Sequence, residues 1–296
     1  MTASIGTPML RKEDPRMITG RGRYTEDISP PGTLHVTIVR SPEAHAAIVS
    51  IDTSAAKERP GVVAVLTGEE MRPDFAGPIP MVWAPPGVEI KTPEHWPLKS
   101  GQVKHVGDPV AVVVATSRGA AVDAAEEVVV EYDAKPAVVD PEQALEDGAP
   151  LVWEEFGTNK THEWAVAGGD FDAAAAEADV TVEVRYENHR TSGAPIETRC
   201  SVAEPRGDNL ILYSTTQIPH IARFVIGGML GISEDKLRVV APDVGGGFGA
   251  KLQVYAEEVL VLALAKRLGR PAPRIASVGI LFVNTPVKCR SIEGIA

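Results

Sequence analysis

The sequence predicts an α/β (α+β) chain built from two folded units, and three observations carry that prediction. At roughly 100–200 residues per domain, a length of 296 corresponds to about two cores. Short apolar or alternating runs of strand character recur along the chain and are separated by stretches of helical periodicity. Between the two sets of elements, a proline-containing segment at 133–150 reads as a linker.

Taken in order, residues 33–39 alternate apolar with polar or small side chains, as a half-buried strand does. Residues 62–66 and 110–115 are continuous apolar runs that fit buried strands, and 72–97, rich in proline and glycine, reads as a long surface loop. Ser117 can cap a helix over 118–127, and 128–132 returns to a strand pattern. In the second unit, Asp170 can cap an alanine-rich helix at 171–178, and 180–186 alternates cleanly for a strand with one wet face. A strand is predicted at 209–214, a helix entered through Pro219 over 218–230, and a strand at 237–241. A helix over 251–268 is stopped by Gly269 and Pro271. The resulting division is an N-terminal extension (1–16), a first unit (17–135), a linker (136–150), a second unit (151–270) and a divergent tail (271–296).

Composition narrows the function. With 44% hydrophobic residues spread along the chain, disorder is excluded. The 29 basic against 40 acidic residues leave a net charge of −11, which argues against nucleic acid and against anionic membrane surfaces. The tail alone carries three bases (Arg274, Lys288, Arg290) and one acid (Glu293), which leaves −13 on residues 1–270. Apolar runs such as 110–115 and 259–265 fall well short of the ~18 residues of a membrane helix. The first dozen residues lack an apolar signal core, so a cytoplasmic protein is expected. Two cysteines, Cys200 and Cys289, cannot hold an iron–sulfur cluster or a four-cysteine zinc site, and Cys200 reads as a buried strand residue.

The chemically loudest feature is Gly245-Gly246-Gly247-Phe248-Gly249, between a predicted strand and a predicted helix. Glycines let the backbone take positive φ and approach a ligand closely, and a following helix N-terminus offers unpaired amides to an anion. A tight turn before a buried helix is the bland alternative, but four glycines in five residues exceed what a turn needs. A P-loop would need glycine, lysine, then serine or threonine, whereas Ala250 precedes Lys251 and Leu252 follows it. A dinucleotide fingerprint is partly met by Gly245, Gly247 and Ala250, yet no acidic residue occurs between Glu258 and Glu293 to hold a ribose. A phosphorylated metal–organic cofactor is the third class.

Several further groups are weighed individually. Glu197 reads either as a hydrogen-bonding group near a cofactor-binding domain or, at least as readily, as a solvated or helix-capping carboxylate. Asp243 can cap the loop, and Glu257 and Glu258 are expected on an exposed helix face. His189 and His220 lack a third partner for a metal.

Residues 8–270 resemble the molybdenum-binding large subunit of the xanthine dehydrogenase/aldehyde oxidase/carbon monoxide dehydrogenase family. The resemblance rests on ordered blocks: Arg11-Lys12-Glu13-Asp14-Pro15-Arg16, Thr19-Gly20-Arg21-Gly22-Arg23-Tyr24, Arg40-Ser41 with His45, and Ile51-Asp52. It continues through the stretch at 106–114, Pro195-Ile196-Glu197-Thr198-Arg199, the stretch at 214–220 and the glycine loop with its preceding strand. It implies an N-terminal α/β hammerhead domain followed by the beginning of a mixed α/β molybdopterin-binding domain. It also implies a molybdenum–molybdopterin cofactor, as the cytosine dinucleotide, held by pterin sulfurs rather than protein cysteines.

By the same resemblance, Gly246, Gly247, Phe248 and Gly249 contact the cofactor through backbone amides, and Gln217 hydrogen-bonds an oxygen on the metal. A neutral amide suits that task because it donates without adding charge. Leu252 stands where purine-oxidising members carry a glutamate, which argues against xanthine and leaves aldehyde-type, carbon monoxide-type or other heterocyclic substrates.

The implied partners are an iron–sulfur subunit and an FAD-binding subunit of a heterotrimer, itself able to dimerise, with neither cluster nor flavin in this chain. The family's catalytic glutamate belongs to a block beyond residue 296, so the resemblance marks the chain as truncated and inactive alone. The competing expectation is a non-catalytic module that docks on the iron–sulfur and flavin subunits.

Overall fold

The computed structural model describes residues 5–81, 86–165, 168–186, 193–269 and, by backbone alone, 272–276. Its centre is set by strand β5. In chain order the strands are β1 (His35–Arg40), β2 (Ala46–Asp52), β3 (Val62–Thr67), β4 (Gln102–Val103), β5 (Pro109–Ala115) and β6 (Val129–Ala134). β7 (Cys200–Arg206), β8 (Asn209–Ser214), β9 (Leu237–Val240) and β10 (Ala272–Ala276) follow. The helices are α1 (Asp14–Met17), α2 (Ser54–Glu58), α3 (Gly68–Met71), α4 (Arg118–Glu126), α5 (Phe171–Glu177), α6 (Pro219–Leu230) and α7 (Ala256–Leu268).

All seven residues of β5 are buried, as a continuous apolar run covered on both faces must be. Because side chains alternate along a strand, Ala111 and Val113 join a small core with Ala56 of α2 and Ala124 of α4. Val112 and Val114 face the opposite way, into the main core with Val36, α6 and α7. α4 is capped by Ser117, whose Oγ accepts from the Ala120 amide at 3.2 Å.

β5 pairs antiparallel with β1 and β3, and β2 pairs antiparallel with β4 and β6 in a separate three-stranded sheet. β10 lies parallel to β1, with His35 opposite Arg274, and antiparallel to β7, with Ala276 opposite Cys200. That strand fuses the two units into one seven-stranded sheet ordered β3-β5-β1-β10-β7-β8-β9. The segment set apart at 271 for its lack of periodicity therefore begins as a strand; the rest of it, 277–296, lies outside the described residues. Residues 136–150 hold one short 3-10 turn, Gln143–Leu145, and no strand.

α6 starts with Pro219 in its first turn and ends on Gly231, in the left-handed region at φ 60°. α7 is buried along 257–265, so its aliphatic residues Val259, Leu260, Val261, Leu262 and Leu264 each contribute on the order of 1.5–3 kcal/mol of burial.

Two predicted elements differ. The last helix begins at Ala256 rather than 251, because residues 251–255 are bound to the glycine loop and to Gln217 instead of to a helical turn. Residues 180–186 form no strand. Val180, Val182 and Val184 are exposed, and alternation without a ladder partner among the described residues does not make a strand.

Candidate functional site: the glycine loop and its polar floor

The loop springs from the end of β9 and is anchored at its root. Both terminal nitrogens of Arg16 donate to the two carboxylate oxygens of Asp243, and the Arg23 amide donates to Asp243 Oδ2 at 2.7 Å. The Arg16 hydrogen bonds, with the Arg23 amide, hold the Asp243 carboxyl down at about 2. Asp243 thus ties the N-terminal segment to the loop; Tyr24 also makes an isolated parallel bridge with it.

The loop's shape needs its glycines at specific points. A Cβ on Gly245 would lie 2.6 Å from Glu197 Cβ, and one on Gly247 would lie 2.5 Å from the Gln217 side-chain carbonyl. Gly246 (φ 96°) and Gly249 (φ 80°) are left-handed, and so is Phe248 at φ 50°, an uncommon state for a residue with a side chain. The Phe248 ring is exposed and lies over Gly246.

The amide bookkeeping separates the loop residues. Gly245 N donates to Glu197 Oε2 at 2.6 Å, Gly249 N to Gln217 Oε1 at 3.0 Å, and Ala250 N to the Gly247 carbonyl at 2.8 Å. The amides of Gly246, Gly247 and Phe248 donate to no acceptor among the described residues. Three successive amides without protein partners form a concavity suited to a ligand's oxygens or other acceptors. The structure brings Gln217 to this loop. Its Oε1 is spent on Gly249 and Lys251 (3.3 Å), which leaves the NH₂ end as the donor. Gly249 differs from its three neighbours, since its own amide is engaged within the protein.

Beneath the loop lies a polar floor. Lys251 is fully buried, with Nζ on Glu197 Oε2 at 2.9 Å. Tyr255 Oη donates to the Ala250 carbonyl at 2.7 Å, and its ring stacks under the Arg199 guanidinium at 3.8 Å. Glu257 accepts from Arg40 at 2.6 Å and Arg199 at 3.3 Å. Burial pushes the Glu257 carboxyl up, but Arg199 and Arg40 outweigh it and hold it below the ordinary value. Among the described residues Glu258 has no cation in contact: Ser214 Oγ donates to it at 2.6 Å and the Tyr255 amide at 3.0 Å. Burial therefore dominates and raises it to about 7. A small cavity of about 10 Å³ between Arg199, Ser214, Lys251, Glu257 and Glu258 has room for no more than about one water.

Glu257 and Glu258, expected on an exposed face, are thus both buried. The apolar run 259–265, which has no polar face, was the signal available in the sequence: a helix apolar all round buries its end as well. Glu197 proves to be a loop ligand rather than a cap, and Cys200 is buried on β7. Because the N-terminus of α7 is closed by the Tyr255–Glu258 capping interaction, the helix end is not part of the cradle. His220 is exposed, and His189 lies outside the described residues. Among the described residues no group of three or more His, Cys, Asp or Glu could hold a metal ion.

An α/β unit thus shares its sheet with a domain that presents a glycine loop of unpartnered amides among the described residues. Residues 19–136 match the aldehyde oxidase and xanthine dehydrogenase a/b hammerhead domain, and 152–285 match the molybdopterin cofactor-binding domain. The chain belongs to the xanthine dehydrogenase/aldehyde oxidase/carbon monoxide dehydrogenase family of molybdopterin-binding large subunits. The second match runs into the segment that begins at 271.

The chain is 40% identical over 270 residues to the nicotine 6-hydroxylase large subunit of Paenarthrobacter nicotinovorans, covering 90% of this chain and 32% of that one. It is 38% identical over 282 residues to the carbon monoxide dehydrogenase large chain of Hydrogenophaga pseudoflava, covering 88% and 33%. Quinoline 2-oxidoreductase from Pseudomonas putida 86 superposes with a TM-score of 0.84 at 39% identity, covering 92% of this chain and 34% of that one. The chain therefore spans about a third of the length of the relatives it matches. Among the described residues no helix is long and apolar enough to cross a membrane.

Proposed function

We propose that this chain supplies one wall of a molybdenum–molybdopterin site in a molybdenum hydroxylase, with the cofactor as the cytosine dinucleotide. The observation that carries the reading is the run of amides at Gly246, Gly247 and Phe248, unpartnered among the described residues, beside the NH₂ end of Gln217, which likewise has no partner among them. These donors fit an oxygen-rich, anionic cofactor that brings its own sulfur ligands, and none of the described residues needs to bind the metal. When bound, the cofactor supplies oxidative hydroxylation of a small molecule: an aldehyde, a heterocycle or a carbon monoxide-type substrate.

This chain's residues do the holding. The loop amides fix the cofactor's acceptors, Gly249 and Lys251 hold Gln217 by its carbonyl, and the floor keeps the loop from collapsing. Iron–sulfur and FAD-binding subunits of a cytoplasmic heterotrimer, paired as a dimer, would carry electrons away. The chain of 296 residues, incubated with molybdopterin cytosine dinucleotide and desalted, should retain pterin by fluorescence after oxidative release. Gly247→Ala, which pushes into the Gln217 amide, should weaken retention at least about tenfold. Failure of the unaltered chain to retain pterin would overturn the reading, and co-purification with an iron–sulfur subunit without pterin would support the docking-module alternative.

A further inference from the structure

We propose that Glu197 and Lys251 are positioning residues, forming a buried ionic tie that holds the glycine loop with its cofactor-facing amides turned outward. This inference rests on the molybdopterin reading for its function but on the loop's own bonds for its geometry. One carboxylate oxygen, Glu197 Oε2, accepts from the Gly245 amide at 2.6 Å and from Lys251 Nζ at 2.9 Å. Gly245 and Lys251 bracket the loop, so that single oxygen closes both of its ends into a ring.

Lys251 is the junction. Its side chain is 0% exposed, its amide donates to Gln217 Oε1, and its carbonyl accepts from the Gln217 amide at 2.9 Å. A shift of Lys251 therefore moves the loop and Gln217 together. Gly245 carries no Cβ because Glu197 Cβ occupies that space, so the carboxylate reaches the amide only at a glycine.

Packing alone does not account for the pair. Two apolar side chains of similar volume fill such a space without desolvating two charges, and they are often the more stable choice. The pair is also imperfect as a stabilising device, because Glu197 Oε1 is buried with no hydrogen-bond partner among the described residues. What the charges add is direction. The carboxylate draws the Gly245 amide inward, and the next three amides are left without protein acceptors.

The test is hydrogen–deuterium exchange on the full chain without cofactor, comparing wild type with Glu197→Gln, Lys251→Met and the neutral double variant. The amides read are Gly245, Gly249, Ala250, Lys251 and Leu252, all bonded within the loop region, with β7 and β8 as internal control. The expected result is at least tenfold faster exchange at the loop in Lys251→Met and in the double variant, and a smaller rise in Glu197→Gln. The control strands should be unchanged. Loop protection retained in the double variant, or lost equally across β7 and β8, would overturn the positioning role. Pterin retention is measured on the same samples. Wild type that retains no pterin while loop exchange responds as expected would sink the functional reading and leave the tie standing.

Discussion

Arg40, at the end of β1, donates to Glu257, at the start of α7, at 2.6 Å across 217 residues of sequence. The same guanidinium donates through Nη1 to the Gly107 carbonyl at 3.0 Å, so one side chain connects the hammerhead unit to the helix beneath the glycine loop. The two units share a sheet through β10, and this ion pair adds a second joint on the side of the glycine loop.

Removing that cation strands a buried carboxylate. Glu257 is 5% exposed and would keep only Arg199. Breaking a buried pair from one side leaves an undercompensated charge, and with Arg199 retained the cost is about 2 kcal/mol. Arg40→Met should lower the urea midpoint accordingly without changing the slope of the transition. A loss below about 0.5 kcal/mol would show that Arg199 alone neutralises Glu257.

Glu258 gives the fold a pH dependence of unusual sign for a carboxyl. Its folded value near 7 lies above its ordinary 4.5, so the native state binds a proton that the unfolded chain has released. The contribution of Glu258 to stability is therefore greatest below about 4.5, falls as pH rises toward 7, and bears the full penalty above that. The slope contributed is at most about 1.4 kcal/mol per pH unit. Glu258→Gln keeps the shape of the protonated acid, so its melting temperature should exceed that of wild type at pH 8 and converge with it near pH 5. Parallel curves for the two proteins from pH 5 to 8 would place the ionisation elsewhere.

The parts of this site that were legible in the sequence are those encoded in the backbone. Four glycines around Phe248 announce a loop that needs open space and left-handed φ, and Gln217 stands in a recognisable block. The polar floor was illegible for a physical reason. Glu257 reads as one more surface acid until Arg40, Arg199 and the all-round burial of α7 are placed around it. Glu197 likewise acquires its role only when Gly245 and Lys251 converge on one of its oxygens. Periodicity alone starts α7 at 251, but over 251–255 it competes with tertiary bonds to Gln217 and Ala250, and those bonds win. The strand expected at 180–186 failed for the complementary reason, since its period was right and its partner strand was missing among the described residues.

Phe248 carries backbone strain at the centre of the cradle. A side chain held at φ 50° costs on the order of 1 kcal/mol relative to glycine, and the exposed ring returns little burial in exchange. Phe248→Gly should hold or raise the chain's stability, by up to about 1 kcal/mol, while reducing pterin retention through a looser loop. A variant that is both less stable and fully retentive would mean that the ring is a packing element rather than a means of shaping the loop.

The Arg16–Asp243 pair fastens the arginine-rich segment around 11–23 to the root of the loop. Asp243 should titrate near 2 by carboxyl carbon NMR, and Arg16→Met should return it toward its ordinary 3.8, leaving the Arg23 amide as the remaining influence. Since the folded value is depressed, the contribution of this carboxylate is complete above about pH 4 and disappears as pH falls through about 2. At neutral pH the joint is closed, so Asp243→Asn should free the segment without unfolding the core. Trypsin should then cut at Arg16, Arg21 or Arg23 at least several times faster than in wild type, while β5 and α7 keep their exchange protection. Equal cleavage rates in the two proteins would show that the Tyr24 bridge, and not the ion pair, holds the segment in place.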